Sequence, residues 1–375
     1  MPQPISQLAD YTTITGSAFV PIIDVNETVS SKNKKISIDD LRKTFFKSGV
    51  LLSSSFTEHT PGFYYFGDNR DGRLNLTGSI ATVRTFVSRS FASTQDGVPV
   101  VKNFSSLFIS RSVVVSPTNR CRGMLIFVDG DATISGSISM TGRGASAVGA
   151  DASFTTINPP YLGDYWSAQL FPSSSYLSRV FAVGAAGSGF GTDGVTGTNG
   201  RSGGGGGGSS FGAPSAGSGA TGTSFSGGSG GGGSNINVVV GGSASGNGGA
   251  GGNGAFGPGG TGGGGAGNPG GTPNGGQGTG GLLILIVRGN LRIGPNGSIT
   301  SNGSNGGNAS SPTQGGGGGG SGGGVLYVYY GGTLTNNGTV TASGGTRGTG
   351  GNIAGNGGAG TAIISKLNVA FPAAN

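Results

Sequence analysis

Between Gly123 and the C-terminus the chain repeats itself. The segments GMLIFVDGDATISGSISMTG from Gly123, GLLILIVRGNLRIGPNGSITSNG from Gly281 and GVLYVYYGGTLTNNGTVTASG from Gly324 align with one another, and a truncated fourth copy, GTAIISKLNVAF, starts at Gly360. Each full copy opens on a glycine, runs through an apolar strand, breaks at a glycine and resumes as a short second strand. It then ends in a Gly-Ser/Thr-Ile/Val-Ser/Thr strand near a further glycine. Three strands per unit with tight corners predict stacked coils of a β-solenoid. One copy cannot bury itself: a strand such as Leu282 to Val287, apolar throughout, needs cover on both faces, from neighbouring coils and from an outer layer.

Glycine sets the second constraint. Of the 87 glycines, 14 precede Gly184 and 73 follow from there. Glycine loses the most backbone entropy on folding, so tracts such as GGSASGNGGAGGNGAFGPGGTGGGG after Val240 read either as flexible chain or as bundled extended helices of three residues per turn. The triplet period is irregular, which excludes collagen. Phe190, Phe211, Phe225 and Phe256 punctuate these tracts and are read as packing residues ahead of ligand contacts, because large apolar side chains are mostly inside.

Charge thins out in the same half, where Asp193 is the one acid and Arg201, Arg288, Arg292, Arg347 and Lys366 are the bases. The net charge of +7 is thus diluted over a mostly neutral surface. Nucleic-acid binding needs Lys and Arg concentrated on one face, and the one cluster, Lys32, Lys34 and Lys35, reads as a solvated loop. Cys121 is alone and is read as a buried, inert thiol. The N-terminus lacks a basic start followed by an apolar core, and the run Leu282 to Val287 is too short to span a bilayer. Neither export nor membrane insertion is expected from these signals.

Residues 1–48 read as a compact module. Ala18 to Asp24 and Lys35 to Ile38 pattern as strands, Ser37 with Asp40 resembles a capping box, and Ile38, Leu41 and Phe45 fall on one face of a short helix. Its sequence, ISQLADYTTITGSAFVPIIDVNETVSSKNKKISIDDLRKTFF, resembles the short N-terminal modules of phage tail fibre and virion appendage proteins. The matching stretches are Ile5 to Leu8, Thr12 to Gly16, Val20 to Ile23 and Lys35 to Leu41. The resemblance implies attachment to other virion proteins, with Ile5, Leu8, Val20, Pro21, Ile22, Ile38, Leu41 and Phe45 as candidate attachment residues. It does not separate head fibres from tail fibres. The glycine-rich half is similar in composition to glycine-rich phage tip adhesins.

Candidate chemistry is sparse. His59 has no nucleophile pattern beside it. Asp129 and Asp131 could form a carboxylate pair of the kind polysaccharide hydrolysis needs, yet Asp-Gly-Asp at a strand corner reads as a turn. Asp68 to Gly72 misses calcium-loop spacing and predicts a hairpin turn. No Gly-rich stretch ends in Gly-Lys-Ser/Thr. No catalytic, metal or cofactor residue is therefore assigned, and the chain is not expected to be an enzyme. The aromatic group Tyr161, Tyr165, Trp166, Phe171 and Tyr176 is the candidate host-surface contact, with sealing of the insertion onto the solenoid as an alternative at least as strong.

These readings converge on a mainly β fold. A small N-terminal α+β module over 1–48 attaches to the virion, and a β-rich connecting domain covers 49–120. A β-solenoid or β-helix-like region follows over 121–375, with glycine-rich extended, polyglycine-type segments and an insertion at about 151–280 between the first and second repeats. The expected role is a structural tail fibre or spike on the virion exterior, homotrimeric, that recognises a host receptor, glycans included, with its glycine-rich tip. A capsid head fibre or decoration (cement) protein without receptor binding is the alternative. A polysaccharide depolymerase is a third reading, and it meets a shortage of acids and histidine.

Overall fold

A computed structural model describes residues 19–23, 33–37, 69–77, 87–146 and 184–367, the last range less 199, 211–215, 224, 235–241, 245–248, 258–259, 262, 268, 312 and 314. The chain divides into two units, Met1–Thr60 and Pro61–Asn375. In the first, β1 (Phe19–Ile23) pairs antiparallel with β2 (Asn33–Ser37), Phe19 opposite Ser37. Both strands fall where alternation predicts them. The helix expected over Ile38 to Phe45 lies outside the described residues, as do Ile5 and Leu8.

The second unit is built of strands in tiers of three. The first tier is β3 (Arg73–Leu76), β4 (Val87–Phe91) and β5 (Val100–Phe104); the second is β6 (Ser106–Ile109), β7 (Val113–Pro117) and β8 (Met124–Val128). The third starts with β9 (Ala132–Ile134) and β10 (Ser137–Ser139). A long excursion follows, containing the small antiparallel pair β11 (Phe256–Gly257) and β12 (Gly260–Thr261), and β13 (Leu282–Val287) completes the tier. The fourth tier is β14 (Leu291–Ile293), β15 (Ser298–Thr300) and β16 (Val325–Tyr330), and the fifth is β17 (Leu334–Asn336), β18 (Thr339–Thr341) and β19 (Thr361–Lys366). Successive strands of a tier go to three different sheets, and every fourth strand returns beside the first. Three five-stranded sheets result, with orders β17-β14-β9-β6-β3, β18-β15-β10-β7-β4 and β19-β16-β13-β8-β5. All their pairings are parallel.

The aligned copies of the repeat lie in register: Leu283 sits beside Met124, and Val325 beside Leu282 and Thr361. Strands on either side of residue 120 share the same three sheets. Alternate residues of all three sheets form one buried cluster that includes Leu107, Ile109, Val115, Ile126, Ile138 and Leu285. In the sheet containing β13 the opposite face is buried as well, for Ile284, Ile286, Tyr327 and Tyr329 are each 1% exposed. Burial of both faces explains why those strands read as continuous apolar runs.

Corners are fastened by short polar side chains. Asp131 Oδ1 accepts the Asn290 N–H at 2.7 Å, and Asn290 Oδ1 accepts the Thr333 N–H at 2.9 Å, so each tier caps the next. Cys121 is buried at another corner, bridged to Gly97 and Gly144, and its Sγ donates to the Gly123 carbonyl at 3.2 Å. Burial pushes its thiol pKa up, against the smaller opposing influence of backbone N–H groups. Of the hairpin turn expected at Asp68 to Gly72, the described part forms a turn: the Gly72 N–H donates to the Asn69 carbonyl at 2.8 Å, and both residues have positive φ. The strand after it pairs in parallel with β6.

The glycine tracts leave and rejoin this stack where the sheet of β15 gives way to the sheet of β16. Residues 301–309 continue β15, 315–324 lead into β16, 342–349 continue β18, and 354–360 lead into β19. They hydrogen-bond sideways with a period of three. Along 203–209 the N–H groups of Gly203, Gly206 and Ser209 donate to Gly323, Gly320 and Gly317, at 2.8, 2.9 and 3.0 Å. Those of Gly204 and Gly207 donate to Val195 and Thr192, and those of Gly205 and Gly208 to Ala220 and Gly217. This segment thus bonds to three neighbours in rotation, as a three-residue turn dictates. Glycine is demanded by spacing: a β-carbon on Gly319 would lie 2.0 Å from the Gly206 carbonyl oxygen. Ser321, buried in the lattice, adds a side-chain bond to this scheme, its Oγ donating to the Gly278 carbonyl at 3.0 Å.

Candidate functional surface

The lattice has an end beside the strands and an end away from them. Segment 202–209 begins next to β19, where Thr361 Oγ1 donates to the Arg201 carbonyl at 2.9 Å. It ends at Ser209, whose hydroxyl donates to the Asn352 carbonyl at 2.8 Å. Several turns meet there. The Ser234 N–H donates to Ser209 at 2.9 Å, Gly316 to Ser234 at 2.7 Å, and Gly351 to Gly315 at 2.8 Å. Asn352 Nδ2 donates to the Ser210 carbonyl. Gly191 takes a φ of 64°, and its α-carbon faces Ile353, whose carbonyl oxygen would lie 3.1 Å from a β-carbon there.

Two large apolar side chains stand out of this outer end, Phe190 at 52% and Ile353 at 65% exposure. Their backbones are held by the lattice, since the Gly191 N–H donates to Gly208 at 2.9 Å and Gly355 to Gly207 at 2.7 Å. Such a pair offers apolar contact from a fixed support. The reading of Phe190 as a packing residue is therefore corrected: the turn at Gly189–Gly191 carries it outward because a three-residue lattice has room only for backbone between its segments. Phe225 is buried with the Arg122 guanidinium 5.9 Å over its ring, in keeping with packing. The side chains of Phe211 and Phe256 lie outside the described residues.

The five described carboxylates are all engaged. Asp71 meets Lys102 Nζ at 3.1 Å, Asp96 meets Arg120 Nε at 2.6 Å, and Asp129 meets Arg288 at 2.8 Å and Asn69 Nδ2 at 2.8 Å. Asp131 takes the Asn290 N–H, and Asp193 takes the Asn356 N–H at 2.7 Å. Asp129 and Asp131 thus serve the corner. Among the described residues no three His, Cys, Asp or Glu side chains gather as metal ligands. No helix among them is long and apolar enough to cross a membrane.

The aromatic candidates Tyr161, Tyr165, Trp166, Phe171 and Tyr176 lie outside the described residues, as do His59, Ile38, Leu41 and Phe45. Val20, Pro21 and Ile22 are on β1, with only their backbone described. Ile353 escaped the sequence reading. Its signal is an isolated apolar residue in the glycine-flanked turn Gly350 to Gly355, a pattern it shares with Phe190. Comparison with known proteins returned no matching family model, no matching curated protein and no matching solved structure.

Proposed function

We propose that this chain is a non-enzymatic virion appendage, a tail fibre or spike, that attaches through residues 1–48 and touches the host surface with the outer end of its glycine lattice. In this reading the three-sheet stack is a β-solenoid shaft, the glycine segments are of polyglycine type, and the assembled appendage is a homotrimer on the virion exterior. The observation that carries the proposal is the pairing of exposed Phe190 and Ile353 on turns whose backbones are hydrogen-bonded into a lattice. A rigid support lowers the entropy lost on contact, and apolar side chains at its end supply the contact energy. In this reading the five described carboxylates, each engaged by a cation or a backbone N–H group, serve the fold.

The test is adsorption of the purified full chain to a panel of bacterial strains, beside a Phe190→Ser/Ile353→Ser variant. Burying the exposed half of each side chain contributes about 1 kcal/mol, so the double change weakens binding roughly thirtyfold. The urea midpoint stays put, because neither side chain packs inside. Adsorption of the variant at wild-type strength removes the outer end from the contact.

A further inference from the structure

We infer that a second surface, the polar flank formed by the sheet of β18 and the glycine segments that continue it, binds an extended, neutral polysaccharide chain. The flank is ruled in rows. In the outermost row, Thr339, Ser343, Thr346 and Thr349 are exposed and Thr341 is half-buried, while Ala342, Gly345 and Gly348 between them are buried. The row beneath comes 41 positions earlier: Ser298 pairs with Thr339 and Thr300 with Thr341, then Asn302, Asn305 and Asn308 lie under Ser343, Thr346 and Thr349. Ser137, Ser139 and Thr141 begin a third row, with Ser298 Oγ donating to Ser137 Oγ at 2.9 Å and Thr300 Oγ1 to Ser139 Oγ at 3.1 Å.

The offset survives a change of backbone geometry. From Thr339 to Thr341 the surface recurs every second residue, as in a strand, and from Ser343 to Thr349 every third, as in the lattice. At every one of these positions the side chain is Ser, Thr or Asn. The outer row therefore runs for about 31 Å, with rows about 4.8 Å apart. Its groups are oriented in advance. The amide oxygens of Asn302, Asn305 and Asn308 accept the N–H groups of Ser343, Thr346 and Thr349 at 2.8, 2.9 and 2.8 Å, which leaves the Nδ2 hydrogens as the donors each amide can still offer.

The chemistry selects the ligand. A nucleic acid or acidic glycan requires a bank of cations, and on 339–349 the one charged residue is Arg347. Protein interfaces are anchored by aromatic and large apolar side chains, which the rows lack. Directed hydroxyls and amides repeating along an extended flank match the hydroxyls of an uncharged sugar polymer. The inference draws on the host-contact reading only for the source of that polymer, and it uses different residues.

The experiment prints purified neutral bacterial O-polysaccharides, with mannan and dextran, as an array and probes it with the full chain. Comparison is with Thr341→Val/Thr346→Val/Thr349→Val, which keeps side-chain shape and removes three hydroxyls. Wild type is expected to bind at least one neutral polysaccharide, equally well at low and high salt, and the variant to bind it at least tenfold more weakly with an unchanged urea midpoint. Binding to none of the polysaccharides, equal binding by the variant, or loss of binding in salt each overturns the inference. Phe190→Ser/Ile353→Ser should keep wild-type array binding, so loss of cell adsorption alone speaks to the outer-end proposal.

Discussion

Replacing Gly206 by alanine asks whether backbone contact closes the glycine lattice. A β-carbon there would lie 2.2 Å from the Gly355 carbonyl oxygen and 2.4 Å from that of Asn356. Carbon and oxygen normally approach to about 3.3 Å, so the two segments must separate by about 1 Å. Gly206 lies outside the left-handed region, which leaves spacing as the cause. The separation stretches the 2.7 Å bond from the Gly355 N–H to the Gly207 carbonyl beyond hydrogen-bonding range and loosens the 2.9 Å bond from Gly206 to Gly320. Overpacking costs about 1–3 kcal/mol and an interior hydrogen bond left unmade about 1–3 more, for a sum of roughly 2–6 kcal/mol. Gly189→Ala is the control: nothing lies within 4 Å of its β-carbon, and the change should stay within about 0.5 kcal/mol of wild type. The assay is the urea midpoint of the full chain, with hydrogen exchange at the Gly203–Ser209 amides locating the loss. Equal midpoints for the two variants would refute the close-packed lattice.

Two further outcomes follow from individual side chains. Asn305→Ala deletes the acceptor of the Thr346 N–H and should cost about 1 kcal/mol, with faster exchange confined to Thr346 and its neighbours; unchanged exchange would mean that the ladder does not hold the outer row. Cys121 has a folded pKa raised above its ordinary value by burial, so its neutral form is favoured in the fold. The associated stability is present below the ordinary thiol range, about 8.5, and is lost as pH rises through the folded value. Urea midpoints at pH 7 and pH 10 should therefore fall further for wild type than for Cys121→Ala, and the native thiol should resist Ellman's reagent until the chain unfolds. Equal falls would show that the thiol carries no such linkage.

Much of the fold is legible in the chain because its signals are local. The glycine before each apolar run, the corner glycines and the Gly-Ser-Ile-Ser type strand recur within a few residues of one another, and a parallel stack aligns like with like, so Leu283 lands beside Met124. The tiers over Arg73–Pro117 are harder to see. Val100 to Phe104 carries Lys102 and Asn103 where later copies are apolar: Lys102 Nζ donates to Asp71 at 3.1 Å, and the Asn103 backbone N–H donates to the same carboxylate at 2.7 Å. Strand β3 alternates exposed and half-buried positions at the margin of its sheet.

The candidate surface is less legible. Large apolar residues in glycine tracts read as packing, and Phe225 and Phe190 have similar glycine-rich and serine-rich surroundings. One falls where a segment meets the strands, beneath Arg122, and the other falls at a turn away from them. Segment length alone separates the two, counted in turns of three from an anchor that the sequence does not mark.

The sequence by itself determined the β character, the tier with its three strands and corners, and the place where charge and side chains give way to glycine. Only the tertiary structure decided which glycine segments are neighbours. A residue without a side chain cannot specify a partner: any glycine N–H matches any glycine carbonyl. For the segments continuing β15 and β18, register is imposed from outside the tracts, by strands paired in the stack and by the asparagine ladder at offset 41, which sets the threonine row along one flank.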